Sequence, residues 1–242
     1  ALSTILFRAL MNNTQNISLL EPFTRFRVNQ DIEKKENYPF QKKEDFIKYI
    51  ESKITQAEKE DKFILIKEIT DNPTEYFQDI VYKIAETKPV KFVYMARHPK
   101  AAYSSYHRKL KTEIEAKEEI IEAKKAIPMY QPLWGMYEKH KGKIVITEDL
   151  QEEPNRVIKE LYEYIGLEFK EEYLKFKPLE EEGIPEDWKY FDLQWYDAVL
   201  TSTEIKPGKT DLSKIEIDDE KVMQAVITQT PYYEKFVEES KK

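Results

Sequence analysis

Short apolar runs alternate with amphipathic segments between residues 17 and 166, and this alternation is the strongest constraint on the fold. The apolar runs predict strands, and FILIKEI is apolar enough to predict a strand that is buried on both faces. Parallel strands need crossover connections, which helices supply. The sequence therefore predicts an α/β protein with three layers, in which helices cover both faces of one parallel sheet. The predicted strands lie at 17–23, 63–69, 90–96 and 143–147.

The segments around these strands carry helix signals. Asn72 and Pro73 predict an N-cap and a first helical residue, and Gly166 predicts a helix end. Beyond residue 167 the alternation stops, and we expect an irregular stretch followed by a helix or two. We predict a single domain over 1–242, of which 168–242 forms an irregular and helical C-terminal cap. The predicted helices lie at 4–12, 42–60, 72–86, 99–110, 113–126, 129–140 and 148–167.

Composition excludes several classes of function. The net charge of −7 argues against general nucleic-acid binding, which needs a basic surface. The absence of cysteine excludes disulfides and thiolate metal sites, and it favours a reducing compartment, the cytoplasm. The three histidines have no metal-ligand spacing, and no apolar run is long enough to cross a membrane. We therefore expect a small-molecule substrate, with no metal, no nucleic acid and no membrane as partner.

Charged residues follow the predicted strands directly. Ligands of doubly wound α/β folds bind outside the carboxyl ends of the strands, so these residues are candidates for a site. Strand ends that simply meet solvent are the alternative explanation for any one of them. The residues at the strand ends are Glu21, Lys67, Glu68, Arg97, His98, Glu148 and Asp149.

Arg97 has the most informative surroundings of these residues. It ends a predicted strand, and Pro99 begins the next helix, whose first turn offers free N–H groups to an anion. A guanidinium can bind phosphate through two parallel hydrogen bonds. Ser105 adds a hydroxyl further along the same helix. Arg97 and Ser105 together therefore predict a phosphate site, the alternative being a helix-capping arginine and a solvated serine.

Ser3 and Thr4 stand just before the first predicted helix. Hydroxyl oxygens at this position cap a helix, and the backbone N–H groups of its first turn suit a second anion. An ordinary N-cap is the alternative for these two residues.

Six stretches in this order resemble the P-loop sulfotransferases of bacterial type, which use 3′-phosphoadenosine-5′-phosphosulfate (PAPS). ALSTILFRALMN is similar to the family's phosphosulfate loop and the helix after it, and ISLLEPF to its second strand. YMARHPKAAYSSY resembles the 3′-phosphate motif Arg-x-Pro-x5-Ser. The later block KIVITEDLQEEPNRVIKELYEYIGLEF resembles a strand, Glu-Asp-Leu, a proline and a helix that ends in Gly-Leu, while WYDAVLTSTEIKP and PYYEKF are similar to the C-terminal part. The resemblance implies a P-loop nucleoside triphosphate hydrolase-like fold.

The resemblance also implies roles for the two predicted anion sites. Ser3 and Thr4, with nearby N–H groups, would hold the 5′-phosphosulfate, and Arg97 and Ser105 would hold the 3′-phosphate. The family's loop also has an arginine, which falls immediately before Ala1 together with the first strand. We therefore expect residues to precede Ala1 in the complete protein.

Lys206 and Lys209, in EIKPGKTD, occur where the family often has a basic loop over the nucleotide. Two solvated lysines are an equally good explanation of this stretch.

Sulfuryl transfer requires a base that takes the proton of the acceptor. Glu21 and Glu68 are the candidates, because both follow strands beside the presumed loop and the family uses glutamate as base in several branches. Glu21 fits the family position better, and a salt bridge or surface exposure is the alternative for each. The predicted function is transfer of a sulfuryl group from PAPS to a hydroxyl or amine of a small molecule.

Two other functions compete with this prediction. A P-loop kinase needs G-x-x-x-x-G-K-[ST], which the chain does not contain. A non-catalytic nucleotide-binding or scaffold protein could keep the same fold and use aromatic residues near the C-terminus as a partner surface. Packing of a cap onto the sheet is the preferred explanation of those aromatic residues. They are Trp188, Tyr190, Phe191, Trp195 and Tyr196.

Overall fold

The structure is a computed structural model. It describes residues 2–12, 15–24, 26, 39–40, 42–69, 75–105, 129–179 and 197–242. In chain order its helices and strands are α1 (Leu2–Met11), β1 (Asn16–Leu20), α2 (Lys43–Lys59), β2 (Phe63–Lys67), α3 (Glu75–Thr87), β3 (Val93–Ala96), α4 (Tyr130–Lys139), β4 (Lys143–Ile146), α5 (Thr147–Glu152), α6 (Pro154–Ile165), α7 (Asp197–Leu200) and α8 (Glu220–Glu239).

The contacts within the chain divide it into two compact units, each assembled from separate stretches. The first unit contains residues 1–69, 74–89 and 170–205. The second unit contains residues 70–73, 90–169 and 206–242. The assignment of 1–242 to one domain with a cap at 168–242 stays a prediction.

In the first unit, β1 and β2 form a parallel pair. Asn16 lies opposite Phe63, and Leu20 lies opposite Lys67. Every residue of β2 remains partly exposed, so the predicted burial of this strand on both faces is wrong. Among the described residues β2 pairs with β1 alone, and an edge strand keeps some of its surface exposed.

Helix α1 is buried around most of its circumference, including the charged residue Arg8, of which 3% is exposed. A guanidinium can be buried only if its N–H groups find acceptors. Those of Arg8 donate to the carbonyl oxygens of Val199 at 2.6 Å, Ser202 at 2.9 Å and Lys177 at 2.5 Å. The guanidinium also lies 4.4 Å from the ring centre of Phe176. Arg8 therefore fastens two late segments of the chain to the first helix.

In the second unit, β3 and β4 form the other parallel pair. Val93 lies opposite Lys143, and Ala96 lies opposite Ile146. Residues 99–105 are helical, so the helix begins at Pro99 as predicted. The C-terminal helix α8 is continuous over twenty residues, and the Asp219 carboxylate caps it by accepting from the N–H groups of Lys221 and Val222.

The predicted helix over 148–167 is two helices in the structure. Helix α5 ends at Glu152, and Glu153 lies outside the helical region with φ −135° and ψ 60°. The cause is Pro154, whose ring disfavours the helical conformation of the residue before it. Gly166 ends α6 with φ 83°, as predicted, because glycine adopts this left-handed conformation without steric cost.

Other predictions meet the structure in part. Helix α4 covers Tyr130–Lys139 and so lies within the predicted range 129–140. Asn72, Pro73 and the predicted helix 113–126 lie outside the described residues.

No helix in the described part of the chain has the length and apolarity needed to cross a membrane.

The buried Arg8 gives a test of the first unit. Arg8→Met keeps a long side chain but leaves three carbonyl groups without their donors, so we expect the free energy of unfolding to fall by about 3 kcal/mol. Urea denaturation followed by circular dichroism measures this change. The matched control is Arg156→Met, because Arg156 forms exposed ion pairs with Glu153 and Glu160 and should lose less than about 1 kcal/mol. Equal losses of unfolding free energy in the two variants would contradict the role of Arg8 in fastening the two late segments to α1.

Candidate active site

In the first unit, Glu21 and Glu68 are the residues that follow β1 and β2. Because the strands are parallel and Leu20 lies opposite Lys67, both glutamates come at the same edge of the pair. The N–H of Glu21 donates to the carbonyl oxygen of Lys67 at 2.6 Å, which extends the pairing by one bond. The sequence-predicted base candidates are therefore neighbours.

Glu21 is buried, with 3% of its surface exposed, and its carboxylate forms an ion pair with the ammonium of Lys67. Its backbone has φ 49°, a left-handed conformation that is unfavourable for a residue with a side chain. Local strain of this kind persists only where the surroundings enforce it, and it is found often at functional sites. The ion pair and the turn conformation together fix where this carboxylate lies.

Glu68 has different partners, all in the turn that follows Glu21. Its carboxylate accepts from the N–H of Phe23 at 2.6 Å and from the N–H of Thr24 at 3.4 Å. The hydroxyl of Thr24 donates to it as well, at 2.7 Å. Residues 22–24 are helical, so Glu68 accepts from N–H groups of a first helical turn, which find no acceptor within the turn itself.

The environment raises the pKa of Glu68 to about 7. Burial of the carboxyl group is the largest cause, because it disfavours the charged form, and the negative charge of Glu21 acts in the same direction. The hydrogen bonds from Thr24 and Phe23 oppose these effects without cancelling them. Glu68 therefore changes its charge near neutral pH, whereas an ordinary glutamate is fully ionised there.

Lys67 is the charged residue of this cluster to which the sequence assigned no role. The signal was present, since Lys67 is one of the charged residues at the strand ends. Only the observed ion pair shows that its ammonium lies beside Glu21 and is mostly shielded from solvent. It places a positive charge at the carboxyl edge of the strand pair.

In the second unit, Arg97 follows β3 as predicted. The hydroxyl of Tyr130 accepts from the N–H of Arg97 at 2.9 Å and also donates to the carbonyl oxygen of Arg97. Ser105 is partly buried and lies on the helix that begins at Pro99. The structure thus places Arg97 and Ser105 at the end of a strand and on the helix after it, the arrangement from which a phosphate site was predicted.

The neighbouring residue His98 is held by Glu148, which follows β4. The N–H of His98 donates to Glu148 Oε1 at 3.0 Å, and the hydroxyl of Tyr233 on α8 donates to Glu148 Oε2 at 3.1 Å. The His98 and Tyr233 rings meet edge to face, with centres 5.3 Å apart. Burial lowers the pKa of His98, so its imidazole favours the neutral form. Glu148 belongs to the Glu-Asp-Leu block, to which the sequence assigned no role.

Ser3 and Thr4 lie inside α1, not before it. The helix begins at Leu2, so both residues belong to its first turn, and Thr4 is 2% exposed. The prediction that their side chains stand ahead of the helix is therefore wrong. The N–H groups of a first helical turn still have no acceptor within the helix, so the backbone here retains the property that suits an anion.

Lys206 and Lys209 are exposed residues of the second unit. The ammonium of Lys209 lies 3.5 Å from Glu152, in an ion pair whose lysine side chain is 81% exposed. The segment between the two lysines is attached to α5, because the N–H of Gly208 donates to the carbonyl oxygen of Gln151 at 2.9 Å. A nucleotide-binding role for the two lysines stays a prediction.

Among the described residues, no group of three or more histidine, cysteine, aspartate or glutamate side chains is arranged to hold a metal ion.

Comparison with known families identifies the chain. Residues 70–237, well over half of its length, match the family model described as "Sulfotransferase domain". The chain belongs to the sulfotransferase family. The matched stretch of this sulfotransferase contains Arg97, Ser105 and Glu148, whereas Glu21 and Glu68 precede it.

Two solved structures are similar to this sulfotransferase. The sulfotransferase domain from the Synechococcus PCC 7002 olefin synthase has 19% sequence identity and a TM-score of 0.50, with coverage of 92% of this chain and 74% of the other. The sulfotransferase domain from the curacin biosynthetic pathway has 12% identity and a TM-score of 0.40, with coverage of 86% and 77%. No curated protein matches the sequence. At 19% identity the similarity to the olefin synthase domain concerns the fold alone, and together with the two parallel strand pairs it confirms the predicted α/β class.

The raised pKa of Glu68 gives a pH-dependent test of the site. Between its ordinary value of 4.5 and about 7, the folded protein holds a proton that the unfolded chain has released. Glu68 therefore contributes stability below pH 4.5 that is lost as the pH rises through 7. Because the residue is partly exposed to solvent, we expect roughly 1 to 3 kcal/mol for this loss.

The measurement compares wild type with Glu68→Gln, which cannot titrate. As the pH rises from 5 to 8, the free energy of unfolding of the wild type should fall relative to that of Glu68→Gln. Glu86→Gln, at an exposed position of α3, is the matched control and should show no such shift. A difference between wild type and Glu68→Gln that stays constant over this range would contradict the assigned environment.

Proposed function

We propose that this protein transfers the sulfuryl group of PAPS to a hydroxyl or amine of a small-molecule acceptor. One observation carries the proposal: within the sulfotransferase match, Arg97 directly follows β3 and precedes a helix that begins at Pro99 and carries Ser105. An arginine at a strand end and a hydroxyl on the following helix are the chemical groups that a terminal phosphate requires.

In this proposal Arg97 and Ser105 bind the 3′-phosphate of the nucleotide. A phosphate at this position is what distinguishes PAPS from ATP and AMP, so a guanidinium assigned to it selects the donor. The first-turn N–H groups at Ser3 and Thr4 bind the 5′-phosphosulfate through the partial positive charge of the N-terminus of α1. Lys206 and Lys209 supply additional positive charge toward the nucleotide.

The reaction breaks the bond between sulfur and the bridging oxygen of the 5′-phosphate, and it forms a bond between sulfur and the acceptor atom. The electron pair of the broken bond stays on the phosphate oxygen, and the acceptor's proton passes to a carboxylate of the enzyme. We assign that carboxylate to Glu21. Its turn is held in a strained conformation, and Lys67 beside it supplies an ammonium for the negative oxygens of the sulfuryl group.

Glu68 is the weaker candidate for the base, although its pKa of about 7 suits proton transfer at neutral pH. Its carboxylate oxygens accept hydrogen bonds from the N–H groups of Phe23 and Thr24 and from the Thr24 hydroxyl. Removing Glu68 from these donors would leave the turn after Glu21 without its acceptor. Glu68 therefore supports the turn that carries the base.

Thermal denaturation tests the choice of nucleotide. Because a ligand that binds the folded state raises the apparent stability, adenosine 3′,5′-bisphosphate should raise the melting temperature more than ATP or AMP does. Arg97→Ala should abolish this advantage. Stabilisation by ATP alone would instead indicate a kinase. A non-catalytic binding protein would be stabilised by the bisphosphate but would transfer no sulfuryl group to any of a panel of phenols, alcohols and amines.

Activity of two glutamine variants tests the choice of base. With an acceptor from the same panel, Glu21→Gln should lower kcat by at least about 100-fold, because an amide at this position cannot take the proton. Its affinity for adenosine 3′,5′-bisphosphate should stay unchanged. Glu68→Gln keeps a carbonyl acceptor for the turn and should lose less activity. A larger loss in Glu68→Gln than in Glu21→Gln would transfer the role of base to Glu68.

A further inference from the structure

We propose that Tyr130 and Glu148 are positioning residues for the 3′-phosphate: their side chains fix the backbone of Arg97 and His98, so that the Arg97 guanidinium is presented to the phosphate in one geometry. This inference rests on the proposed function, since it concerns the residue assigned to that phosphate. It gives a role to the glutamate of the Glu-Asp-Leu block and to a tyrosine that the sequence did not single out.

Tyr130 binds both backbone groups of Arg97, its N–H and its carbonyl oxygen. Its hydroxyl accepts from the N–H of Arg97 at 2.9 Å and donates to the carbonyl oxygen of the same residue. Only 3% of Tyr130 is exposed, so water does not compete readily for these bonds. Burial is also the largest cause that raises the pKa of Tyr130, so the hydroxyl keeps the proton that it donates. Both bonds involve the backbone of Arg97, and neither involves its guanidinium.

Tyr130 is itself fixed by α8. The side-chain oxygen of the buried residue Gln229 accepts from the N–H of Tyr130 at 2.7 Å and from that of Gln131 at 3.3 Å. The ring of Tyr130 also lies among aromatic rings of α8, with its centre 6.2 Å from that of Phe236 and 6.3 Å from that of Tyr233. A side chain held at both its backbone and its ring has little freedom to move its hydroxyl.

Glu148 holds the next residue of the same turn. Each of its carboxylate oxygens has its own partner. Oε1 accepts from the N–H of His98, and Oε2 accepts from the hydroxyl of Tyr233. Glu148 follows β4, whose last residue lies opposite the last residue of β3, so this side chain reaches the turn across one strand spacing. Arg97 and His98 are thus fixed by separate side chains from α4 and α5.

Ordering of the Arg97–His98 turn should affect binding of the 3′-phosphate alone. A flexible turn would have to be ordered when the nucleotide binds, and that ordering would reduce the affinity. A turn that is already ordered avoids this cost, but only for a ligand that has a 3′-phosphate. Loss of the Tyr130 hydroxyl should therefore weaken adenosine 3′,5′-bisphosphate and leave adenosine 5′-monophosphate unaffected. A general loss of structure would weaken both ligands.

Isothermal titration calorimetry with these two nucleotides is the test. The measured quantity is the ratio of the Kd for adenosine 5′-monophosphate to the Kd for adenosine 3′,5′-bisphosphate. We expect Tyr130→Phe to lower this ratio by roughly 5- to 10-fold, as the loss of one buried hydrogen-bonding group predicts. Glu148→Gln keeps an acceptor for the N–H of His98, and its ratio should fall less than that of Glu148→Ala.

Tyr137→Phe is the matched control, because it removes the same atom from the same helix. The Tyr137 hydroxyl donates to Glu239 at 3.2 Å and makes no described contact with Arg97. Its ratio should equal that of the wild type. The double variant Arg97→Ala, Tyr130→Phe should have the same ratio as Arg97→Ala alone, since the hydroxyl acts through the guanidinium.

The outcomes separate this inference from the proposed function. If the wild type does not prefer the bisphosphate, the proposed function is wrong. If the wild type prefers it and Arg97→Ala loses the preference, but Tyr130→Phe behaves like Tyr137→Phe, the proposed function stands and the positioning role is wrong. A fall in affinity for both nucleotides by the same factor in Tyr130→Phe also overturns the positioning role.

Discussion

Parallel pairing of strands is the constraint on which the candidate site depends. In each pair the two strands end at the same edge, so residues distant in sequence become neighbours immediately after the last paired residues. Leu20 opposite Lys67 brings Glu21 beside Glu68, and Ala96 opposite Ile146 brings the Arg97–His98 turn within reach of Glu148. Each pair gathers polar groups at its carboxyl edge, where the backbone N–H groups of a following helix are also exposed.

In both units, a carboxylate fixes the turn that follows a strand by accepting hydrogen bonds from its backbone. Glu68 accepts from N–H groups of the turn after β1, and Glu148 accepts from an N–H of the turn after β3. In both cases a carboxylate one or two residues beyond the paired strand supplies the acceptor. A buried N–H without an acceptor costs more free energy than a hydrogen bond gains, so these side chains determine the shape of the turn as well as its stability. The turns carry Glu21 and Arg97, the residues to which the proposed chemistry assigns the base and the phosphate contact.

Much of the fold could be predicted from the sequence because strand and helix periodicity are local properties. The runs that became β1 to β4 and the helix start at Pro99 needed no tertiary information. The break before Pro154 was equally local and was missed because the helical pattern continued across it. The roles of Lys67 and Tyr130 could not be predicted, since each depends on a contact with a residue more than thirty positions away. Residue type and strand position identify candidates, but only tertiary packing shows which side chains meet.

The buried ion pair of Glu21 and Lys67 is hard to explain by stability. Removing two charges from water is costly, and their mutual attraction recovers that cost only in part, so apolar residues of similar size would often stabilise a fold as well or better. The same position also has a left-handed backbone at Glu21, which adds a local conformational cost. A chain that tolerates both at one strand end keeps a carboxylate and an ammonium together in a shielded place. The proposed reaction uses both groups, the carboxylate to take a proton and the ammonium to face the negative oxygens of the transferred group, and an apolar pair could do neither.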